Sequence, residues 1–150
     1  MSTAALHRVE VMHGVNLDQL ERRPATHYGP LSLDALERVI SGFAEELGLQ
    51  VRFFQTNAEH EFVEHLHGLH GMADAVVLNP GAWTHYAWSI RDALEIAGLP
   101  AAEVHLSDVK NREEWRRLSV VRDLCLTTVS GQGIEGYRAA LERLKEELDV

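Results

Sequence analysis

The chain has one cysteine, four prolines and no long apolar run, and basic side chains are in the minority. Each shortage excludes something. Cys125 has no partner within the chain for a disulfide, and its place in the apolar-rich run LCLTTV predicts a buried strand thiol rather than a nucleophile. Against 23 acidic residues stand 14 basic ones, a formal net charge of -9. No general positive field exists to attract a phosphate backbone, so nucleic acid is not expected as a partner. No apolar stretch approaches the ~18 residues of a membrane span, and the N-terminus lacks the charged-then-apolar pattern of a secretory signal. The expectation is a cytoplasmic protein with no membrane partner. What is present is ordinary: 150 residues, 45% of them apolar, are enough to bury one core and predict one domain over residues 1–150.

Periodicity divides the chain into alternating elements. Arg8 to His13 (RVEVMH) reads as a strand, short and rich in β-branched residues. Ser32 offers an N-cap to a helix with Leu33, Leu36, Val39, Ile40, Phe43, Ala44 and Leu47 at helical spacing, and Gly48 stops it. Leu49 to Gln55 is a second strand. Glu59 to His70 returns to a helical pattern, and Ala75 to Leu78 is a third strand that runs into the turn signal Asn79-Pro80-Gly81. A helix then carries Ala87, Ile90, Leu94 and Ala97. Ala101 to Leu106 is a fourth strand, Ser107 to Leu118 a polar stretch with one helical turn around Glu113, and Leu124 to Ser130 a fifth strand. The last helix begins near Ile134. This alternation, with near-continuous apolar strands, predicts an α/β fold: a three-layer, doubly wound sheet of five parallel strands. Sites in such sheets lie beyond the carboxyl ends of the strands, where strand order reverses. His13–Asn16, Gln55–Asn57, Asn79–Gly81, His105–Ser107 and Ser130–Gly133 are expected to converge there on one cleft.

The segment Met12 to Gly29 has little apolar periodicity and reads as a long loop of functional length. It holds Asn16, Arg23 and Tyr28. A tyrosine is a poor base near neutral pH unless a nearby cation stabilises its phenolate, which a guanidinium can do. In isolation the segment reads first as a flexible, solvated connection with an incidental charge cluster. Gly131-Gln132-Gly133-Ile134-Glu135-Gly136 matches GxGxxG, but it lies at the end of the chain with no acidic strand end after it, so a tight turn under the last helix is expected instead of a dinucleotide site. His60, His65, His67 and His70 crowd one helix without the spacing of a metal set, and no metal is expected. His85 and His105 stand at the predicted site edge. A histidine at a strand end serves either as a satisfied core residue or as an acid–base group.

Several ungapped blocks in one order are more specific than any of these motifs alone. His13-Gly14-Val15-Asn16-Leu17 with Arg23 and Tyr28-Gly29; Gln55-Thr56-Asn57; Asn79-Pro80-Gly81-Ala82-Trp83-Thr84-His85 with Ile90-Arg91-Asp92-Ala93; Glu103-Val104-His105-Leu106-Ser107 with Arg112-Glu113-Glu114-Trp115-Arg116 and Ser119; and Ser130-Gly131-Gln132-Gly133 with Gly136-Tyr137 stand in that order. Together they resemble the type II 3-dehydroquinate dehydratases, from Val9 to about Leu144. The resemblance implies a flavodoxin-like fold, a homododecamer of four trimers, and no metal or organic cofactor. It implies the anti elimination of water from 3-dehydroquinate, a small-molecule substrate, to 3-dehydroshikimate through an enolate. Tyr28 would be the base, supported by Arg23. Asn16 would hold a water at the enolate oxygen, and His105 would protonate the leaving hydroxyl. Asn79 would orient substrate and His105, Leu106 and Ser107 would bind the carboxylate, His85 and Arg116 the ring hydroxyls, and Asp92 would reach a neighbouring subunit's site.

Departures from that pattern gather in the first block. His13 replaces the usual Asn, Val15 the usual Pro, Glu21 a common Gly and Pro24 the usual Glu. Pro24 restricts Arg23 to extended conformations and removes a carboxylate that could orient its guanidinium. Asp108, Lys110, and bulky Trp83 and Tyr86 near His85 are further changes expected around the pocket. Two other readings stay open on the sequence: a related dehydratase acting on a modified cyclic hydroxyketo acid, and a non-catalytic binding or assembly protein on the same fold.

Overall fold

The computed structural model describes residues 5–28 and 31–150. Strands β1 (His7–His13), β2 (Leu49–Gln55), β3 (Ala75–Asn79), β4 (Ala101–His105) and β5 (Thr127–Ser130) pair in parallel in the order β2-β1-β3-β4-β5. That order is the flavodoxin-like arrangement, with its switch point between β1 and β3. Besides the one-turn helix α1 (Ala25–Tyr28), four helices cover the sheet: α2 (Leu33–Leu47), α3 (Glu59–His67), α4 (Trp88–Ala97) and α5 (Glu135–Leu148).

Two cores follow from side-chain alternation along the strands. Val9, Val11, Val77 and Val104 pack toward α2 and α5, where Leu36, Ile40, Leu141 and Leu144 meet them. Met12, Val76 and Leu78 point to the opposite face, against Phe62 and Leu66 of α3 and Ile90 and Leu94 of α4. Ser32 caps α2 as expected, accepting from the Ala35 N–H at 3.2 Å. Among the described residues no helix is long and apolar enough to cross a membrane.

Several boundaries differ from the sequence reading. The segment after β1 is not an open loop: 3-10 turns span Leu17–Arg22 and α1 follows, because Leu17 and Leu20 are buried anchors within it. Gly29, its expected end, lies outside the described residues. Helix α3 stops at His67, short of His70, although Leu69 stays buried in the turns that follow. Ser107 to Leu118 holds two 3-10 turns, Val109–Asn111 and Glu114–Arg117, with Glu113 between them. The fifth strand starts only at Thr127, so Cys125 lies at the end of a 3-10 turn and not in a strand. Burial against the α3–α4 core pushes its thiol up to about 12, which makes it inert.

A buried carboxylate lies on the same side of the sheet as the second core. Glu10 of β1 is 2% exposed. It accepts two hydrogen bonds from Arg52, at 2.9 and 3.1 Å, and lies 2.7 Å from Nε2 of His65, whose ring stacks on Phe54. Burial alone would raise this carboxyl, but His65 and Arg52 together hold it below its ordinary range. A folded-state value below the unfolded one means that the stabilisation is complete above the ordinary carboxylate range and is lost as pH falls through the lowered value. Arg52→Ala is therefore expected to cost about 1–3 kcal/mol in chemical denaturation at pH 7. The difference from wild type should shrink as the same titration is repeated at pH values falling through that lowered range, where Glu10 takes up its proton.

Candidate active site

The cleft opens at the switch point, because two backbone segments come unusually close there. Gly14 follows β1 and donates its N–H to the Asn79 carbonyl at 2.7 Å. A Cβ at Gly14 would lie 2.2 Å from the Pro80 carbonyl oxygen, so no other residue fits. Gly81, at φ +67°, answers from the β3 side, with the space of its missing Cβ closed by the Val15 carbonyl at 2.6 Å. Asn16, at φ 69°, is the one non-glycine residue with positive φ among the described residues. Its N–H donates to Asn57 Oδ1 at 2.8 Å, and Gln55 Nε2 donates to the Gly14 carbonyl at 3.2 Å. The Gln55–Asn57 segment thus props the first turn from behind instead of lining the cleft.

The cavity measures about 250 Å³ and is lined by Asn16, Arg23, Tyr28, Asn79, His85, His105, Leu106, Ser107 and Arg116, among others. Of the expected site residues, only Asp92 stands apart, exposed on α4. Ser130–Gly133 also stays out of the lining: Gly131 donates its N–H to the Ser107 carbonyl at 3.0 Å and so fixes the turn after β4. The GxGxxG run is the close-packing turn expected of it, with Gly136 set against Val129. His13 turns away from the cleft altogether. It is fully buried on the α2 side, its Nε2 3.0 Å from the Glu37 carboxylate and its ring stacked on Phe53. Trp83, expected near the pocket, packs edge-on against Phe62 in the core, and Tyr86 is exposed. His60, His67 and His70 are exposed, and His65 is engaged by Glu10. Among the described residues no three His, Cys, Asp or Glu side chains gather as a metal site requires.

Tyr28 carries two cations on one oxygen. Arg23 Nη2 and Arg112 Nη1 each donate to Tyr28 Oη at 2.5 Å, and the Arg23 guanidinium also lies 4.1 Å from the ring centroid. Both guanidinium groups therefore bear directly on the phenol oxygen. Arg23 is extended, at φ -98° and ψ 157°, as Pro24 after it requires. The Pro24 carbonyl in turn accepts from the His27 and Tyr28 N–H groups, so the proline starts the single turn of α1 that swings Tyr28 back over Arg23. The sequence by itself gives Arg112 no role at the site. It is 84 positions from Tyr28, and no local pattern relates the two.

His105 is held by a buried carboxylate. Its Nε2 lies 2.6 Å from Glu103 Oε2, and Glu103 is 0% exposed. Thr84 and Ser119 donate to the same carboxylate at 2.5 and 2.8 Å, with Thr128 at 3.4 Å. Burial would raise Glu103, but the hydrogen bond and charge of His105, with the two hydroxyls, outweigh it and keep the group ionised below its ordinary range. With Nε2 engaged, Nδ1 is the ring nitrogen left for a ligand. Glu103 is the second residue that sequence reasoning missed. The signal was its spacing: positions i and i+2 on a strand share a face, so a carboxylate two before a site-edge histidine touches it.

His85 presents one defined face. Its Nδ1 lies 2.6 Å from the Leu118 carbonyl, which only a donor N–H can satisfy, so the neutral ring keeps Nε2 as an acceptor. Loss of water around the ring is the main cause that lowers His85 from its ordinary value, with His105 and Arg116 adding to it. Asn79 is fixed by its Oδ1, which accepts from the Gly81 N–H at 3.1 Å.

Residues 7–145 match the family model described as Dehydroquinase class II. The 3-dehydroquinate dehydratase of Thermotoga maritima is 42% identical over 142 residues, 95% of this chain and 97% of that protein. Among solved structures, the type II dehydroquinase from Propionibacterium acnes superposes with a TM-score of 0.88 at 36% identity, covering 95% of this chain and 99% of the other. The type II dehydroquinase from Butyrivibrio crossotus gives the same TM-score at 33% identity, over 93% and 97% of the two chains.

Nitrogen NMR of the imidazoles should find His85 with its proton on Nδ1 and a titration midpoint below 6.5, its ordinary value. A midpoint above that value, or an Nε2–H tautomer, would contradict the assignment.

Proposed function

The chain belongs to the class II dehydroquinase family, and from that premise we infer that it is a hydro-lyase, a 3-dehydroquinate dehydratase that removes water from 3-dehydroquinate. The observation that carries the residue roles is the pairing, in one cleft, of a phenol oxygen under two guanidinium groups with a histidine backed by a buried carboxylate. Elimination beside a ketone needs a base for a weakly acidic C–H, a stabilised enolate and a separate acid for the leaving hydroxyl. Tyr28, as phenolate, takes the proton, and Arg23 and Arg112 balance its charge before the transfer. Asn16, held by Asn57, positions the water that donates to the enolate oxygen. His105 gives the Nδ1 proton to the departing hydroxyl, while Glu103 stabilises the doubly protonated ring before that step. Tyr28 has then gained one proton and His105 lost one, and exchange with solvent restores both. The Leu106–Ser107 turn receives the carboxylate, Asn79 orients ring and acid, and His85 and Arg116 meet the ring hydroxyls. The net charge of -9 is no obstacle, since the anion meets local donors. A modified-substrate dehydratase and a non-catalytic role find no favouring observation.

The proposal extends to assembly. Asp92 is exposed on α4 between Trp88 and Ile96, which are 64% and 70% exposed at four-residue steps on one helical face. An apolar stripe flanking a carboxylate outside the chain's own cleft suits a second copy, in a homododecamer built from trimers. A cytoplasmic location fits a chain with a single, inert cysteine.

The product is a conjugated enone, so ultraviolet absorbance follows turnover directly. Tyr28→Phe and His105→Ala should each lower kcat by about 10²–10⁴-fold with the fold intact by circular dichroism, and Arg112→Ala should approach that range. A folded wild-type protein that yields no enone from 3-dehydroquinate would overturn the reaction. Sedimentation should give a trimer or a multiple of it, and a fully active monomer would remove the role of Asp92 across a subunit boundary.

A further inference from the structure

The two side chains that meet the ring hydroxyls in this reading are held by a residue outside the cleft lining. Trp115 lies in the 3-10 turn Glu114–Arg117, between β4 and β5. Its indole meets the His85 ring edge-on, with centroids 5.2 Å apart at 88°, and the Arg116 guanidinium sits 4.2 Å from the indole centroid. The same loop supplies the other anchors: the Leu118 carbonyl holds His85 Nδ1, and Glu113 accepts from Arg116 Nε at 2.6 Å. His85 comes from the turn after β3, so Trp115 is where two site-forming loops meet.

Core packing does not account for this tryptophan, because it remains 48% exposed. Its two aromatic contacts account for it better. Arg over an indole is the favourable cation–π arrangement, and edge-on ring contact is the preferred aromatic geometry. We propose that Trp115 is a positioning residue that sets the His85 acceptor and the Arg116 donors as one unit facing adjacent hydroxyls of the substrate ring. This inference rests on the reaction proposed above. An acceptor-only imidazole nitrogen beside a donor-only guanidinium reads a specific pair of oxygens, but only while neither side chain can swing away.

The edge-on indole also covers one side of the His85 ring. The charged or titratable groups that face His85 are His105 and Glu103 from β4 and Arg116 from the loop. Without the indole, hydration of the ring favours its protonated form, and a protonated His85 no longer accepts at Nε2.

The test is steady-state kinetics on the purified wild-type protein, Trp115→Phe and Trp115→Ala, with the enone assay from pH 5 to 9. Trp115→Ala should raise KM for 3-dehydroquinate about 5- to 50-fold, the range expected when two long side chains must be ordered on binding. Its kcat should stay within about threefold, and the acid-side loss of affinity should move to higher pH. Trp115→Phe keeps a ring edge against His85 and should recover the wild-type pH profile and most of the KM. If Trp115→Ala does not fold, Trp115→Leu fills much of the space without a ring and carries the same expectation. Unchanged KM and pH profile in an alanine or leucine variant, or a fall in kcat at constant KM, would overturn the positioning role. Wild-type protein without turnover would instead overturn the reaction itself, so the two failures are distinguishable.

Discussion

A carboxylate without access to water sits in the middle of β4, and much of the site depends on keeping it satisfied. Glu103 takes hydrogen bonds from His105 on its own strand, from Thr84 after β3, from Ser119 at the end of the long polar loop and from Thr128 of β5. An unpaired charge at that depth would cost several kcal/mol, roughly the size of a small domain's whole stability margin. The cost is avoided only when three separate segments close on one side chain. The same closure places His85, one residue after Thr84, and draws in the loop that carries Arg112, Trp115 and Arg116.

The second organising contact is smaller and lies across the cleft. Tyr28 reaches its two guanidinium partners because Pro24 begins a single helical turn instead of a loose lid. The sequence departure at Pro24 therefore has a structural compensation. A carboxylate that could orient Arg23 is missing, and Arg23 is instead oriented by its own extended backbone and by stacking on the tyrosine ring. Arg112 approaches from the polar loop, so Tyr28 and, through Ser119 and Glu103, His105 are both braced by the chain between β4 and β5.

Some expected participants turned out to be scaffold. His13 and the Gln55–Asn57 segment stand at strand ends, where a cleft was expected to gather them, yet one is buried toward α2 and the other braces Asn16 from behind. The reason is geometric. Alternation along β1 turns His13 to the α2 face with Val9 and Val11, while β2 and β5 are edge strands whose ends support the turns beside the crevice.

What the sequence by itself determined was local. Apolar spacing placed all five strands and the four long helices, since a period of two or of 3.6 is a property of neighbouring residues. It also carried the chemical inventory of the site, from Asn16 and Tyr28 to His105, because side-chain chemistry does not depend on the fold. It failed where tertiary burial overrode local signals: Leu17 and Leu20 folded an apparent loop into turns, and Cys125 fell outside its strand. Only the tertiary structure decided which groups act on one another. Arg112 and Tyr28, or Thr84 and Glu103, are joined by hydrogen bonds whose partners lie 84 and 19 positions apart. Such pairs form because the parallel sheet brings the ends of β1, β3 and β4 within a few ångströms, and desolvation there makes each unpaired charge too costly to leave alone.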